Sequence, residues 1–279
     1  MVVGNGGDEL IFDILLALGG PGRVLLDCPP TFSIYALYAA LTGTEVRSVP
    51  RDASDFSLDR AAIEAAAPHA DIVMLTSPNN PTGNTVDPAW VAALARRARG
   101  LVVVDEAYVE FADPDVSCVP LVRAQGNVAV LRTFSKAYAL AGVRCGYLLA
   151  PEAAVDAVAS VRQPYSVDAL SQAVARAVVA HRASYEPVIE RIRRERSRLE
   201  QALSAIDGVK VWPGSGNFLL VRMPRAREVY ERLRDERSIL VRDFSAAPLL
   251  RDCLRITVGT PAENDAVVSA VASLRKELS

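Results

Sequence analysis

DIVMLTSPNNPTGNTVDPAWVAALARRARGLVVVDEA, residues 71–107, is the stretch that decides the fold. Its two ends, DIVMLT (71–76) and LVVVDEA (101–107), are short runs rich in β-branched residues, which is typical of buried strands. Between them, PAWVAALARRA (88–98) has the apolar spacing of a helix. Strands that are apolar on both faces and joined by a helix predict parallel neighbours in one sheet.

The same alternation extends through the first 150 residues. Further strands are predicted at RVLLD (23–27), TEVRSVP (44–50), VAVLR (128–132) and CGYLLA (145–150). Further helices are predicted at DELIFDILLAL (8–18) and LDRAAIEAAA (58–67). We therefore predict an α/β fold with a mostly parallel sheet sandwiched by helices.

The pattern changes after about residue 150, where a long helical region is predicted to run to about residue 207. It is followed by KVWPGSGNFLLVRMP (210–224), a helix at 226–236, a strand around 239–242, a strand LRITVG (254–259) and a closing helix at 263–277. This order predicts a smaller C-terminal α+β domain. We place the division inside the helical region, with a large domain at 1–180 and a small one at 181–279.

Composition and charge narrow the functional classes. The chain has 279 residues, of which 51% are hydrophobic and 23% charged, so it can bury a full core. A formal net charge of −2 argues against a nucleic-acid partner, which usually needs a concentrated basic face. The one basic run, RIRRERSR (191–198), alternates with glutamate and apolar residues, and we interpret it as a solvated helix face.

The cysteines and the apolar runs bear on location. Four cysteines are scattered without a close pair, which excludes a zinc ribbon or a redox CxxC motif and predicts no metal site. No apolar run approaches the ~18 residues of a membrane helix, and no signal peptide is visible. We predict a cytoplasmic protein with no membrane partner.

Polar side chains follow two of the predicted strands, at the edge where open parallel sheets bind ligands. Asp105 ends one strand and Tyr108 follows it, while Asn79 and Asn80 lie in SPNNPTG (77–83) after the other. Each feature taken alone has an ordinary alternative, because an acid at a strand end also caps helices and the Pro-rich segment also suits a plain turn. Together they predict a ligand site.

Two further segments supply groups for an anion and an amine. GNGGDEL (4–10) is a Gly-rich turn before a helix, where backbone N–H groups favour an anion. RTFSKAYALAGVRCG (132–146) holds Lys136, and Lys136, Lys210 and Lys276 are the only lysines among 31 basic residues. An amine near an acid, a phenol, an amide and a phosphate site is what pyridoxal phosphate requires, because the amine condenses with its aldehyde.

These segments together resemble a known family. SPNNPTG, VVVDEAYVEF and RTFSKAYALAGVRCGY closely resemble the pyridoxal-phosphate aminotransferases of fold type I. GNGGDELI, CPPTFSIY, LVRDF and CLRITVGTPAEND make the chain most similar to histidinol-phosphate aminotransferases. The resemblance implies an amino donor and a 2-oxo acid as small-molecule substrates, a role in histidine biosynthesis, and a homodimer.

The resemblance also implies roles for residues at the cofactor ring. Lys136 would carry the cofactor and later move the proton at the substrate carbon. Asp105 would pair with the pyridine nitrogen, Asn80 and Tyr108 would bind the phenolic oxygen, and Phe32 would stack on the ring face.

The remaining roles concern the cofactor phosphate and the substrate. The implied phosphate site consists of Gly7, Asp8, Thr133, Ser135 and Arg144. The implied substrate residues are Asn217, Arg242, which would help receive a substrate phosphate, and Arg255, which would bind a carboxylate.

The chain departs from the family pattern at its front, because family members carry an arm and a motif resembling NENPYG before the GNGGDELI region. Either the sequence begins at an internal methionine or the chain is short, with impaired or altered activity. An aromatic amino-acid aminotransferase, a threonine-phosphate decarboxylase and a non-catalytic fragment therefore stay open as alternatives. A nicotinamide-dependent enzyme is set aside, because GNGG stands before RVLLD and not after it.

Overall fold

Two sheets organise residues 1–278, the part of the chain that the computed structural model describes. The larger sheet lies within the first 150 residues. Its strands are β1 (Val2–Asn5), β2 (Val24–Asp27), β3 (Glu45–Ser48), β4 (Ile72–Thr76), β5 (Leu101–Asp105), β6 (Val128–Thr133) and β7 (Cys145–Leu149). They are arranged in the order β1-β7-β6-β5-β4-β2-β3.

The pairing confirms the prediction of a mostly parallel sheet. Strands β3, β2, β4, β5 and β6 are parallel neighbours. Strand β7 runs antiparallel to both β6 and β1. Its connection from β6, residues 134–144, contains no crossover helix and returns the chain directly beside the strand it left.

Helices cover both faces of this sheet. They are α1 (Gly6–Leu18), α2 (Ile34–Thr42), α3 (Arg60–Ala66), α4 (Pro88–Arg97), α5 (Val119–Ala124) and α6 (Glu152–Val161). Strand β4 shows why two layers form, since Val73 and Leu75 pack with α3 and α4 while Ile72 and Met74 pack with α1 and α2. Alternate side chains of one strand thus enter two different cores.

The structure corrects several element boundaries. Strand β1 and helices α2 and α5 were not predicted, and α1 begins at Gly6, ahead of the predicted start. The single helical region predicted at 151–207 is three helices: α6, α7 (Ala169–Ala180) and α8 (Glu186–Ser204). Pro164 prevents α6 from continuing into α7, because proline lacks the N–H and clashes with the preceding turn. Asp168 then caps α7 by accepting hydrogen bonds from the N–H groups of Leu170 and Ser171.

The smaller sheet is antiparallel and follows α8. It contains β8 (Lys210–Trp212), β9 (Phe218–Arg222), β10 (Arg242–Asp243) and β11 (Cys253–Thr257), in the order β10-β11-β9-β8. Helices α8, α9 (Ala226–Arg237) and α10 (Pro261–Glu277) pack on it through one apolar cluster. The strand predicted at 239–242 was wrong in extent, because pairing begins only at Arg242. The division at residue 180 stays a prediction.

Candidate active site

A cavity of about 340 Å³ opens at the carboxyl ends of β4, β5 and β6 and is closed on one side by the smaller sheet. Its volume lies within the range of small-molecule sites. All the predicted site residues except Asn217 line it: Gly7, Asp8, Phe32, Asn80, Asp105, Tyr108, Thr133, Ser135, Lys136, Arg144, Arg242 and Arg255.

Asn217 lies just before β9 and does not line the cavity. Its backbone carbonyl accepts a hydrogen bond from the Val258 N–H at 2.8 Å. The next residue, Phe218, meets the edge of the Tyr108 ring at a centroid distance of 5.0 Å. The substrate role of Asn217 therefore stays a prediction.

Asp105 ends β5 at the floor of the cavity and is 5% exposed. Its Oδ2 accepts a hydrogen bond from the Tyr35 hydroxyl at 2.6 Å, and its Oδ1 accepts one from the Ala107 N–H at 3.0 Å. Burial raises the pKa of Asp105 to about 6, although the bond from Tyr35 opposes the rise. No cation within residues 1–278 forms an ion pair with this carboxylate, so it can receive a charged partner.

Tyr35 was missed by the sequence reasoning as a site residue. It lies on α2, is fully buried, and also contacts the Thr76 hydroxyl at 2.9 Å. A signal was present in its spacing three residues after Phe32, which would place both rings on one side of a helical turn. Because α2 itself was not predicted, that spacing was not used.

Lys136 lies in the loop between β6 and β7, with its Nζ 5.3 Å from the centroid of the Tyr108 ring. Tyr108 is 7% exposed and lines the cavity beside Asp105. The loop thus brings its amine to the cavity that the phenol of Tyr108 and the carboxylate of Asp105 also line, as the sequence predicts.

Two arginines form the wall contributed by the smaller sheet. Arg242 on β10 pairs directly with Arg255 on β11 in the antiparallel register. Arg255 donates from Nη1 to Asn80 Oδ1 at 2.6 Å, and its buried Nε has no hydrogen-bond partner. Burial, assisted by the charge of Arg242, lowers the pKa of Arg255. Within residues 1–278 neither arginine forms an ion pair with an acid, so this wall favours an anionic ligand.

At the other end of the cavity, α1 begins at Gly6 and its N-cap residue makes no side-chain capping bond. Thr133 donates to Ser135 Oγ at 2.8 Å, which leaves the Ser135 hydrogen available to a ligand. Arg144 Nη2 lies 3.1 Å from Asp8 Oδ2. Hydroxyls, an arginine and a helix N-terminus together suit a phosphate.

Two glycines allow close packing of the chain at this end of the cavity. Gly6 has φ +81°, and a Cβ there would clash with the Arg144 guanidinium. A Cβ at Gly146 on β7 would lie 2.8 Å from the Gly7 nitrogen, so β7 could not lie so close to the start of α1.

The residues present fit pyridoxal phosphate. A buried acid without a cation suits the ring nitrogen, an amine suits the aldehyde, and the start of α1 with Ser135 and Arg144 suits the phosphate. The Nδ2 of Asn80 stays available to donate, because only its Oδ1 is used by Arg255. In residues 1–278 no group of three His, Cys, Asp or Glu side chains is placed to hold a metal ion, and no helix there is long and apolar enough to cross a membrane.

Comparison with known proteins agrees with this geometry. The profile of the family described as aminotransferase class I and II matches residues 1–271. A histidinol-phosphate aminotransferase of Streptomyces avermitilis is 43% identical, and the match covers 98% of this chain and 74% of that protein.

Solved structures with the same fold include a histidinol-phosphate aminotransferase of Sinorhizobium meliloti in complex with pyridoxal-5'-phosphate. That structure has a TM-score of 0.91 and 28% identity, and the match covers 100% of this chain and 77% of that chain. An L-threonine-O-3-phosphate decarboxylase of Porphyromonas gingivalis has a TM-score of 0.88 and 27% identity, with 99% of this chain and 83% of that chain covered. The profile match and the relative's identity together place this chain in the class I and II aminotransferase family.

Proposed function

We propose that the chain is a pyridoxal-phosphate-dependent aminotransferase that transfers the amino group of histidinol phosphate to 2-oxoglutarate. The observation that carries the proposal is the cavity itself. Its lining includes the amine of Lys136, the buried carboxylate of Asp105 and the arginine pair, Arg242 and Arg255. The names of the relatives, which are histidinol-phosphate aminotransferases, support the choice of histidinol phosphate as substrate.

Pyridoxal phosphate would be held at both ends of the cavity. Asp105 would face its ring nitrogen, and Asn80 and Tyr108 its phenolic oxygen. The start of α1, with Ser135 and Arg144, would receive the phosphate. When bound, the cofactor supplies an aldehyde that condenses with amines and a ring that withdraws electrons from the substrate carbon.

The chain's own groups would perform the proton transfer and the binding. Lys136 Nζ would take the proton from the substrate carbon and return it, as a positioned general base and acid. Arg255, fixed by Asn80, would bind a substrate carboxylate, and Arg242 beside it would receive the phosphate of histidinol phosphate. The two half-reactions would use the same site in turn, because each substrate carries an anionic group that Arg242 or Arg255 would bind.

Two further properties belong to the same proposal. The family resemblance supports a homodimer, and the scattered, buried, unpaired cysteines support a cytoplasmic location. Sedimentation of the purified chain tests the dimer, since a monomer at micromolar concentration would contradict it.

The test of the proposed reaction is amino-group exchange between L-glutamate and imidazole-acetol phosphate. Wild-type protein should support both half-reactions. Arg242→Gln should raise KM for the phosphorylated ketone about tenfold, because a charge-assisted bond is lost. Arg251→Gln, a control on the same domain whose side chain is 87% exposed, should leave KM unchanged. A half-reaction with glutamate and no turnover of the phosphorylated ketone would contradict the substrate assignment.

The rival activities have distinct products. Turnover of phenylpyruvate in preference to the phosphorylated ketone would identify an aromatic amino-acid aminotransferase. Release of CO₂ from threonine phosphate would identify a decarboxylase, which the structural likeness to the Porphyromonas gingivalis protein makes the second candidate.

A further inference from the structure

We propose that Tyr35 is a positioning residue that fixes the Asp105 carboxylate for the cofactor's ring nitrogen, and that Thr76 strengthens this hydrogen bond by donating to the Tyr35 oxygen. The inference rests on the proposed use of pyridoxal phosphate. It adds a residue that never touches the cofactor and acts on it through Asp105.

The two oxygens of Asp105 have one protein donor each. The Tyr35 hydroxyl lies 2.6 Å from Oδ2, and the Ala107 N–H lies 3.0 Å from Oδ1. Two donors on different oxygens fix the plane of a carboxylate, because rotation would break both bonds. Tyr35 is fully buried, so no water replaces its hydroxyl at this position.

Neighbouring hydroxyls determine where each proton points. Thr31 donates to Asn79 Oδ1 at 2.7 Å, so its hydrogen is not directed at Thr76, 3.1 Å away. Thr76 Oγ1 lies 2.9 Å from the Tyr35 oxygen, which can accept its hydrogen. The Tyr35 hydrogen is directed to Asp105 because an ionised carboxylate only accepts hydrogen bonds, so the relay runs from Thr76 through Tyr35 to Asp105.

One short segment of chain carries both Phe32, which would cover the cofactor ring, and Tyr35, which binds Asp105. Phe32 and Tyr35 meet edge to face with centroids 5.6 Å apart, and the Tyr35 N–H donates to the Phe32 carbonyl at 3.3 Å. The start of α2 therefore places the ring that would cover the cofactor and the donor that fixes its acid. No ion-pair partner of Asp105 within the described residues competes with this donor.

Removal of the hydroxyl has an effect that a packing role would not have. Without its second donor Asp105 can rotate, and a buried anion with fewer donors is less stable. The ring nitrogen of a bound cofactor would then hold less positive charge, and Lys136 Nζ would keep its proton to a higher pH. The pH midpoint of the bound cofactor's visible band should therefore rise.

The experiment compares pyridoxal phosphate with an analogue in which carbon replaces the ring nitrogen. Wild type, Tyr35→Phe, Thr76→Val and a control, Tyr230→Phe on α9, are titrated with each compound by absorbance and then scanned in pH. For pyridoxal phosphate, Tyr35→Phe should raise Kd about tenfold and move the band midpoint upward. Thr76→Val should do the same by less, and Tyr230→Phe should match wild type.

The analogue separates the possible explanations. Its Kd and band midpoint should be the same in wild type and Tyr35→Phe, which also shows that the variant is folded. Equal weakening of both compounds, or no change in either, would overturn the role of Tyr35. If Tyr35→Phe does not fold, an unchanged midpoint in Thr76→Val overturns the relay. If wild type binds neither compound, the proposed function itself fails.

Discussion

Two neighbouring acids at the end of β5 have opposite surroundings. Asp105 faces the cavity with two neutral donors and no ion-pair partner within residues 1–278, whereas Glu106 is fully buried and forms an ion pair with Arg132. Arg132 donates to Glu106 Oε2 from Nε at 3.0 Å and from Nη2 at 2.8 Å, and Ser117 donates to the same oxygen. One acid is fully satisfied by the protein, and the other is left for a ligand.

The electrostatic consequences differ in the same way. Burial alone would lower the pKa of Arg132, but the charge and hydrogen bonds of Glu106 outweigh burial, and the pKa lies above its ordinary value. Burial raises the pKa of Asp105 to about 6, because desolvation outweighs the hydrogen bonds from Tyr35 and Ala107 and the charge of Lys136. We infer that Glu106 serves stability and that Asp105 costs stability and serves function.

The largest expected effect is on stability at Glu106. Glu106→Gln should lower the free energy of unfolding by about 3 kcal/mol, because it leaves the partly buried Arg132 without its counter-ion. Urea unfolding measures the change, with the exposed Glu45→Gln as control. A loss of unfolding free energy no larger than that of the control would show that Glu106 does not stabilise the fold through its pair with Arg132.

The next effect is on activity at Asp105. Asp105→Asn should lower kcat for glutamate exchange by about a hundredfold, because a neutral amide does not hold the positive charge of the ring nitrogen. The variant should remain folded, in contrast to the destabilised Glu106→Gln. An Asp105→Asn variant with the kcat of wild type would contradict the functional role that we assign to Asp105.

A smaller effect concerns pH and the protein without cofactor. The folded pKa of Asp105, about 6, lies above the usual 3.8, so the unfolded chain releases this proton first as pH rises. Asp105 should therefore lower wild-type stability between about pH 4 and pH 6, and Asp105→Asn should lack this contribution. The stability of the variant relative to wild type should grow by about 3 kcal/mol across that window and stay constant above it. A difference that does not vary with pH would contradict the raised pKa.

The smallest effect is expected at Asn217. Because it does not line the cavity, Asn217→Ala should change KM for either substrate by less than about threefold, whereas Asn80→Ala should change it more. Steady-state kinetics on both variants measures this. A large KM increase in Asn217→Ala would restore the substrate role that the family resemblance implies.

Much of the site could be predicted from the sequence, because its residues follow strands. Asp105 ends a buried strand, Asn80 and Lys136 lie in the loops that follow two others, and parallel strands bring their carboxyl ends to one edge. The strand alternation likewise predicts the two-layered core.

The rest depends on contacts between distant segments. Arg242 and Arg255 become neighbours only through the antiparallel register of β10 and β11, which no local pattern specifies. Tyr35 reaches Asp105 only because α2, whose Ala- and Tyr-rich sequence gave no prediction, packs under the sheet edge. The helical composition of residues 151–207 predicts one element, but Pro164 interrupts it because proline cannot continue a helix.

The central claim is that Lys136 carries the cofactor, and reductive trapping tests it most directly. The purified chain is incubated with pyridoxal phosphate, reduced with borohydride, digested and analysed by peptide mass. With three lysines in the chain, Lys136, Lys210 and Lys276, the account predicts the added mass on Lys136 alone and no trapped peptide from Lys136→Ala. Trapping on Lys210 or Lys276, or no trapped peptide from wild type, would contradict it.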